Sequence, residues 1–350
     1  MKINRNSLIS DLNKVMPGIS TGVSVIEGAD TVVFNNGHIY SYNAAISVDV
    51  TESTETGLKG VVKGVDFYNC LNKLISEEIE VEATDKEWII KDGKIKVKMT
   101  ILPSGNIFER FKSLTPNESW TEIDGEDFNK ALTICNMPKN ATKFAGVYVN
   151  KNEFISTDSY LFNRYAAKNE YPSFFISNDA VAQLIKWTDF TAIEMNKNWV
   201  QFKSKNGAIF SVRSLALEAF PYERISGAIN GYLNLESVLE SSFTPEFYNA
   251  VERASTFSKE DEGHEVIDMS ITKDGCKIKS ERVSGAYEEE VTDIKSADVD
   301  FNLELDINMI RSCKAHFDVF KLVERQTNEG VARLVILSKD SSLKIFSAIS

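Results

Sequence analysis

One pattern recurs along the whole chain and limits its fold more than any other: a short amphipathic helix followed by alternating strands, six times over. Apolar residues at i, i+3, i+4 and i+7 predict helices at about 7–16, 65–76, 126–136, 178–187, 245–257 and 306–316. Leu8, Leu12 and Val15 form the stripe in the first; Phe67, Cys70, Leu71 and Leu74 form it in the second. Phe247, Ala250, Val251 and Ala254 do so in the fifth. Between the helices the period falls to two, with β-branched and aromatic residues. Two-residue turns at Asn36-Gly37, Asp92-Gly93, Asn206-Gly207 and Asp274-Gly275 suit type I′ hairpins, and Lys151-Asn152 occupies the equivalent place.

At 350 residues the chain is too long for one hydrophobic core. Pairing adjacent units predicts three domains, 1–116, 117–229 and 230–350. The first boundary is expected in the polar stretch Ser113-Leu114-Thr115-Pro116-Asn117. The second is expected at Ser226-Gly227-Ala228-Ile229-Asn230-Gly231, rich in small residues and turn formers. Hairpins require antiparallel neighbours, so the predicted class is α+β: three similar domains, each with two helices packed on antiparallel sheet.

The formal net charge is −12, yet the helices share a charge layout. Acids sit near several N-termini, where they favour the helix dipole. Lys14, Lys73, Lys130, Lys186, Arg253, Arg311 and Lys314 follow one to three turns later, and Lys139 and Lys143 follow the third helix. The apolar stripes must face the sheets, so these cations point away from them. Arranged round a common axis with helices inward, they would line a hole and meet the phosphates of duplex DNA, while the acidic exterior discourages adhesion elsewhere. Zinc-finger spacing, a helix-turn-helix pair and an aromatic RNP strand are all missing, so any DNA contact is expected to be independent of sequence. The competing reading is that lysines on helix surfaces are merely solvated.

Several short segments carry a resemblance. Phe144-Ala145-Gly146-Val147 followed by Ile155-Ser156-Thr157-Asp158-Ser159-Tyr160-Leu161 is similar to a strand and "A-T-D-G" segment of the bacterial-type sliding clamp, the β-subunit processivity factor of replicative DNA polymerase. Leu217-Glu218-Ala219-Phe220-Pro221-Tyr222 resembles the family's "G-x-F-P-D-Y" strand, and Ile3-Asn4-Arg5-Asn6-Ser7-Leu8 and Phe301-Asn302-Leu303 also fit. The resemblance covers essentially the full length. It implies the clamp fold, a head-to-tail homodimer closing a ring around duplex DNA, a replicative polymerase as partner, and a clamp-loader ATPase to open the ring. It also implies an apolar pocket for partner peptides, walled by Phe144, Thr157, Ser159, Tyr160, Leu161, Phe162, Pro221, Ile225, Ile345 and Phe346. Phe144, Phe162 and Ile345 have core filling as their alternative role. Phe257 resembles a subunit-interface residue, with a buried role inside its domain as the alternative.

This chain departs from the family pattern at Ser159 and Leu161, where glycine and a basic residue are usual. It departs again at the tail Phe346-Ser347-Ala348-Ile349-Ser350, which lacks the usual methionine-proline pair. A divergent member, of bacteriophage or cellular origin, is expected. Catalytic motifs are missing: there is no G-x-x-x-x-G-K-[ST], G-x-S-x-G or H-E-x-x-H. The four cysteines are scattered and read as small core hydrophobes, with no metal spacing. Glu288-Glu289-Glu290 reads as a solvated loop, and His38 as a surface residue without a carboxylate partner. The expectation is a cytoplasmic, non-enzymatic protein with no cofactor, no metal and no membrane segment. The rival is a protein-interaction scaffold built from the same repeated domains.

Overall fold

The computed structural model describes every residue other than 23, 137–143, 159–160, 262–263, 293, 295–299, 314–316, 318, 328–329, 341 and 349–350. Among the described residues eight α-helices alternate with antiparallel strands: α1 Arg5–Val15, α2 Gly64–Lys73, α3 Ile107–Ser113, α4 Gly125–Cys135, α5 Asn178–Leu184, α6 Tyr222–Leu233, α7 Pro245–Ala254 and α8 Ile307–Cys313. The class is α+β. Six of the helices, α1, α2, α4, α5, α7 and α8, fall where the apolar period predicts them.

Compact packing divides the chain into two units, one of residues 1–130 with 168–217, the other of 131–167 with 218–350. The segment 117–229 contributes to both. The first unit holds a four-stranded sheet, ending in the edge strand Ile95–Thr100, and an eight-stranded sheet. In the larger sheet Ile46–Thr51 pairs with Ile209–Arg213, joining strands from the first and second predicted domains. Helix α1 lies on the strands His38–Tyr42 and Ile46–Thr51 of that sheet, burying Leu8, Leu12 and Val15. Phe34, Phe67 and Trp88 meet edge to face at 5.2–5.8 Å, the arrangement aromatic quadrupoles favour.

The second unit holds a six-stranded and a five-stranded sheet. In the former, Leu161–Ser177 pairs with Ser342–Ala348, setting Phe162 opposite Ile345. In the latter, α7 packs on Gly275–Arg282 and the edge strand Gly285–Val291. Phe243 stacks on Phe247 and Phe320 at 4.3 and 4.9 Å in its core.

A threefold repeat is written into the helix ends. Asn4, Asp124 and Thr244, spaced 120 residues apart, each accept a hydrogen bond at their side-chain oxygen from the amide three residues on, at the starts of α1, α4 and α7. These bonds satisfy donors that the first helical turn leaves unpaired. At the other end a buried serine hydroxyl donates to the last-turn carbonyl: Ser41 to Val15, Ser156 to Cys135 and Ser280 to Ala254, each at 2.6 Å. The Asn36-Gly37 hairpin forms as expected, with φ of 53° and 78° at the two positions where a type I′ turn needs the left-handed region.

Three expectations need correction. The small-residue run Ser226–Gly231 is not a turn but the middle of α6, held by the buried pair Ile225 and Ile229 one helical turn apart. Leu217–Tyr222 is not a strand: a 3₁₀ turn at Leu217–Ala219 leads to Pro221, the N-cap of α6. Glu288, Glu289 and Glu290 lie within the strand Gly285–Val291, not a loop, because neighbouring cations offset their mutual repulsion.

Candidate functional sites

The predicted cations occupy unlike settings. Lys14, in the last turn of α1, lies 3.7 Å from Asp11, whose other carboxylate oxygen accepts from the Ser53 amide and hydroxyl at 2.7 Å. Lys186, just past α5, is exposed and donates to the Gln183 side chain at 2.9 Å. These two lysines line one groove of about 750 Å³, whose walls are the end of α1 with the turn after it and the end of α5 with Trp187 and Asp189. Lys73 is exposed in the last turn of α2, and Lys130 is half-buried in α4. Lys139, Lys143 and Lys314 lie outside the described residues.

The arginines are spoken for. Arg253 of α7 grips both carboxylate oxygens of Glu289, at 2.6–3.0 Å, and donates to the Tyr287 hydroxyl at 3.0 Å. This forked geometry is the strongest form of surface ion pair, and it holds the guanidinium still more firmly protonated. Arg311 of α8 forks onto Glu252 at 2.9–3.2 Å and lies 3.7 Å from Glu265. Sequence reading gave these arginines the same standing as the lysines.

The pocket residues of the second unit divide by depth. Thr157, Leu161, Ile225 and Ile345 are buried, so Ile345 takes its alternative role in the core. Phe144, Phe162 and Pro221 are half-buried and reach the surface. Ser159 and Tyr160 lie outside the described residues, and Phe346 is placed by its backbone alone, opposite Leu161. Around Phe144 stands an aromatic wall that sequence reading did not assemble. Phe144 meets Phe220 edge-on at 5.9 Å, and Tyr148 stacks on Phe220 at 4.8 Å and on Tyr222 at 5.4 Å. The Tyr222 hydroxyl donates to Glu153 at 2.5 Å; burial first, then this carboxylate, raises its pKa. Phe162 packs on Tyr232 of α6 at 5.7 Å, and Arg164 donates to Asn230 at 3.0 Å. The missed signal was the run Phe220-Pro221-Tyr222, legible as apolar but not as a platform for Tyr148.

Phe257 ends a 3₁₀ turn, half-buried, with the guanidinium of Arg282 6.0 Å from its ring centre and the ring against Gly285. His38 does have a carboxylate partner, contrary to expectation: its Nδ1 lies 2.8 Å from Asp49, and its ring stacks on Tyr40. The pairing arises across adjacent strands, where Tyr40 faces Asp49. Cys135 and Cys276 are buried, and burial drives the Cys135 thiol far above its ordinary pKa, so it is an inert core side chain. Among the described residues no three His, Cys, Asp or Glu side chains converge to hold a metal, and no helix is long and apolar enough to cross a membrane.

The solved structures similar to this chain match it end to end. The β subunit of the DNA polymerase of Streptococcus pyogenes superposes with a TM-score of 0.75 at 16% identity, covering 99% of each chain. The DNA polymerase sliding clamp of Bacillus subtilis gives 0.74 at 18% identity, covering 100% of this chain and 98% of that one. The Helicobacter pylori β clamp bound to a DNA ligase peptide gives 0.73 at 14% identity, covering 100% and 99%. No protein-family model and no curated protein sequence matches the chain. The chain has the fold of the bacterial DNA polymerase sliding clamps.

Proposed function

We propose that the protein is a DNA polymerase processivity factor: a clamp that encircles duplex DNA without reading its sequence, slides, and tethers a replicative polymerase. The observation that carries this reading is the correspondence with sliding clamps over 99–100% of this chain and 98–99% of theirs. Tethering works by effective concentration, replacing repeated bimolecular encounters with a local one.

The 120-residue spacing of the N-caps supports three domains, 1–116, 117–229 and 230–350, and two copies then supply six for a closed ring. The edge strands support head-to-tail closure. Ile95–Thr100 carries Lys96 and Lys98 on the unpaired rim of its sheet, and Gly285–Val291 carries Glu288, Glu289 and Glu290 on the rim of another. Lys98 pairs with Glu87, and Lys277, Lys279 and Arg253 pair with the glutamates, so a junction would exchange these partners. Open edges of opposite charge suit pairing between copies, which also removes an aggregation hazard. Phe257, against Gly285 of the acidic edge, stands where such a junction would form.

The aromatic wall of Phe144, Tyr148, Phe220 and Tyr222 fits a short apolar peptide from the polymerase or loader, aromatic anchors being the usual hot spots of such contacts. The Helicobacter pylori clamp's ligase peptide shows a relative of the same fold taking a peptide ligand. The sequence carries no nucleotide-binding loop, so ring opening falls to a separate ATPase, and the protein itself is no enzyme. A cytoplasmic site of action follows from this role.

Retention after loading tests the reading. With a clamp-loader ATPase present, protein should stay on nicked circular DNA and leave the same DNA once linearised. Equal retention on both would favour a scaffold or an ordinary DNA-binding protein.

A further inference from the structure

We infer that duplex contact is concentrated in the unit of residues 1–130 and 168–217, where Lys14 and Lys186 hold backbone phosphates across their shared groove, and that Arg253 and Arg311 take no part. The inference rests on the clamp reading and deepens it, because that reading treats all the helix cations alike.

The two sets differ in how their charge is spent. Lys186 donates to a neutral amide and keeps its full charge available. Lys14 stands 3.7 Å from Oδ1 of Asp11, beyond hydrogen-bond length, while both Ser53 bonds go to Oδ2; the ammonium group is therefore near this carboxylate without being bonded to it. Both lysines line one groove of about 750 Å³, as do Asn13, Gln183 and Asn206. Lysine with neutral amide donors is the usual equipment for phosphate contact. Asp189 also lines the groove and offsets one of the two positive charges, which keeps the grip weak enough for sliding. Arg253 and Arg311, by contrast, would have to open forked pairs with Glu289 and Glu252 before reaching a phosphate, exchanging one anion for another with little gain.

Salt dependence counts phosphate contacts directly, since each one lost lowers the slope of log K against log salt by about 0.9. The probe is a short fluorescent duplex titrated with the full chain at several salt concentrations. In a ring of two chains Lys14→Gln and Lys186→Gln each remove two contacts and should each reduce the slope by about two. Arg253→Gln, which leaves the edge residue Glu289 in place with its Tyr287 hydroxyl partner, and the double variant R311Q/E252Q, which removes that forked pair and costs Glu265 only a 3.7 Å approach, should keep the wild-type slope. A drop of about two in either arginine variant, or an unchanged slope in either lysine variant, overturns the inference while leaving the clamp reading intact. Absence of salt-dependent duplex binding by the wild-type chain overturns both.

Discussion

Carboxylates in this chain respond to pH in opposite directions according to what surrounds them. Asp124 caps α4 through the amides of Glu126 and Asp127, and its other oxygen takes Lys168 at 3.0 Å. The Asp127 amide first, then the Lys168 hydrogen bond, hold its pKa below the ordinary value. Such a group adds stability above the unfolded pKa and loses it as pH falls through the folded one. Asp124→Ala is therefore expected to cost about 1 kcal/mol near neutrality, the usual loss for a helix cap, with the deficit shrinking in acid. Urea melts of both proteins across the acidic range check this; a deficit independent of pH would contradict it. Asp49 has the reverse sign, because burial raises its pKa more than His38 lowers it. Asp49→Asn should gain on the wild type as pH rises through the carboxylate range, read from the same melts; parallel curves would contradict it.

At the scale of elements, α6 offers the cleanest test of how the helices are held. Gly227 and Gly231 sit inside this helix with open space where a side chain would point. Alanine at either should raise stability by about 0.4–1 kcal/mol, by restricting the unfolded chain and favouring helix. Gly125→Ala should do the opposite, since its Cβ would fall 2.2 Å from the Phe190 carbonyl oxygen. Denaturant midpoints separate the two outcomes. The same elements mark how far the sequence is legible. Helix α1 shows itself because Leu8, Leu12 and Val15 are all buried, and burial of one face leaves a 3.6-residue period. Helix α6 hides because its stripe rests on Ile225 and Ile229 alone, interrupted by glycines that elsewhere signal turns. The caps of α1, α4 and α7 hide differently: Asn4, Asp124 and Thr244 are chemically equivalent acceptors but three different letters. The groove and the arginine forks were out of reach. Arg253 meets Glu289 across 36 residues and Arg311 meets Glu252 across 59, so no local pattern records that their charge is spent.

For the whole molecule, the proposed function requires closure with a second copy. The edge strands Ile95–Thr100 and Gly285–Val291 belong to different sheets, so on the proposed reading one chain would present both halves of a head-to-tail junction. Reversing the basic edge with Lys96→Glu and Lys98→Glu should shift the protein to single chains in sedimentation. Mixing that variant with one carrying Glu288→Lys and Glu290→Lys should restore assembly through the compensated junction; failure of the mixture to reassemble would place the junction elsewhere. In the proposed ring a net charge of −12 would keep finished assemblies apart while the groove by Lys14 and Lys186 would meet the duplex. Single-particle imaging of the purified protein tests closure most directly. A clamp of this kind should show closed rings of two chains with a hole wide enough for a double helix; open chains, filaments or rings of three would contradict that function.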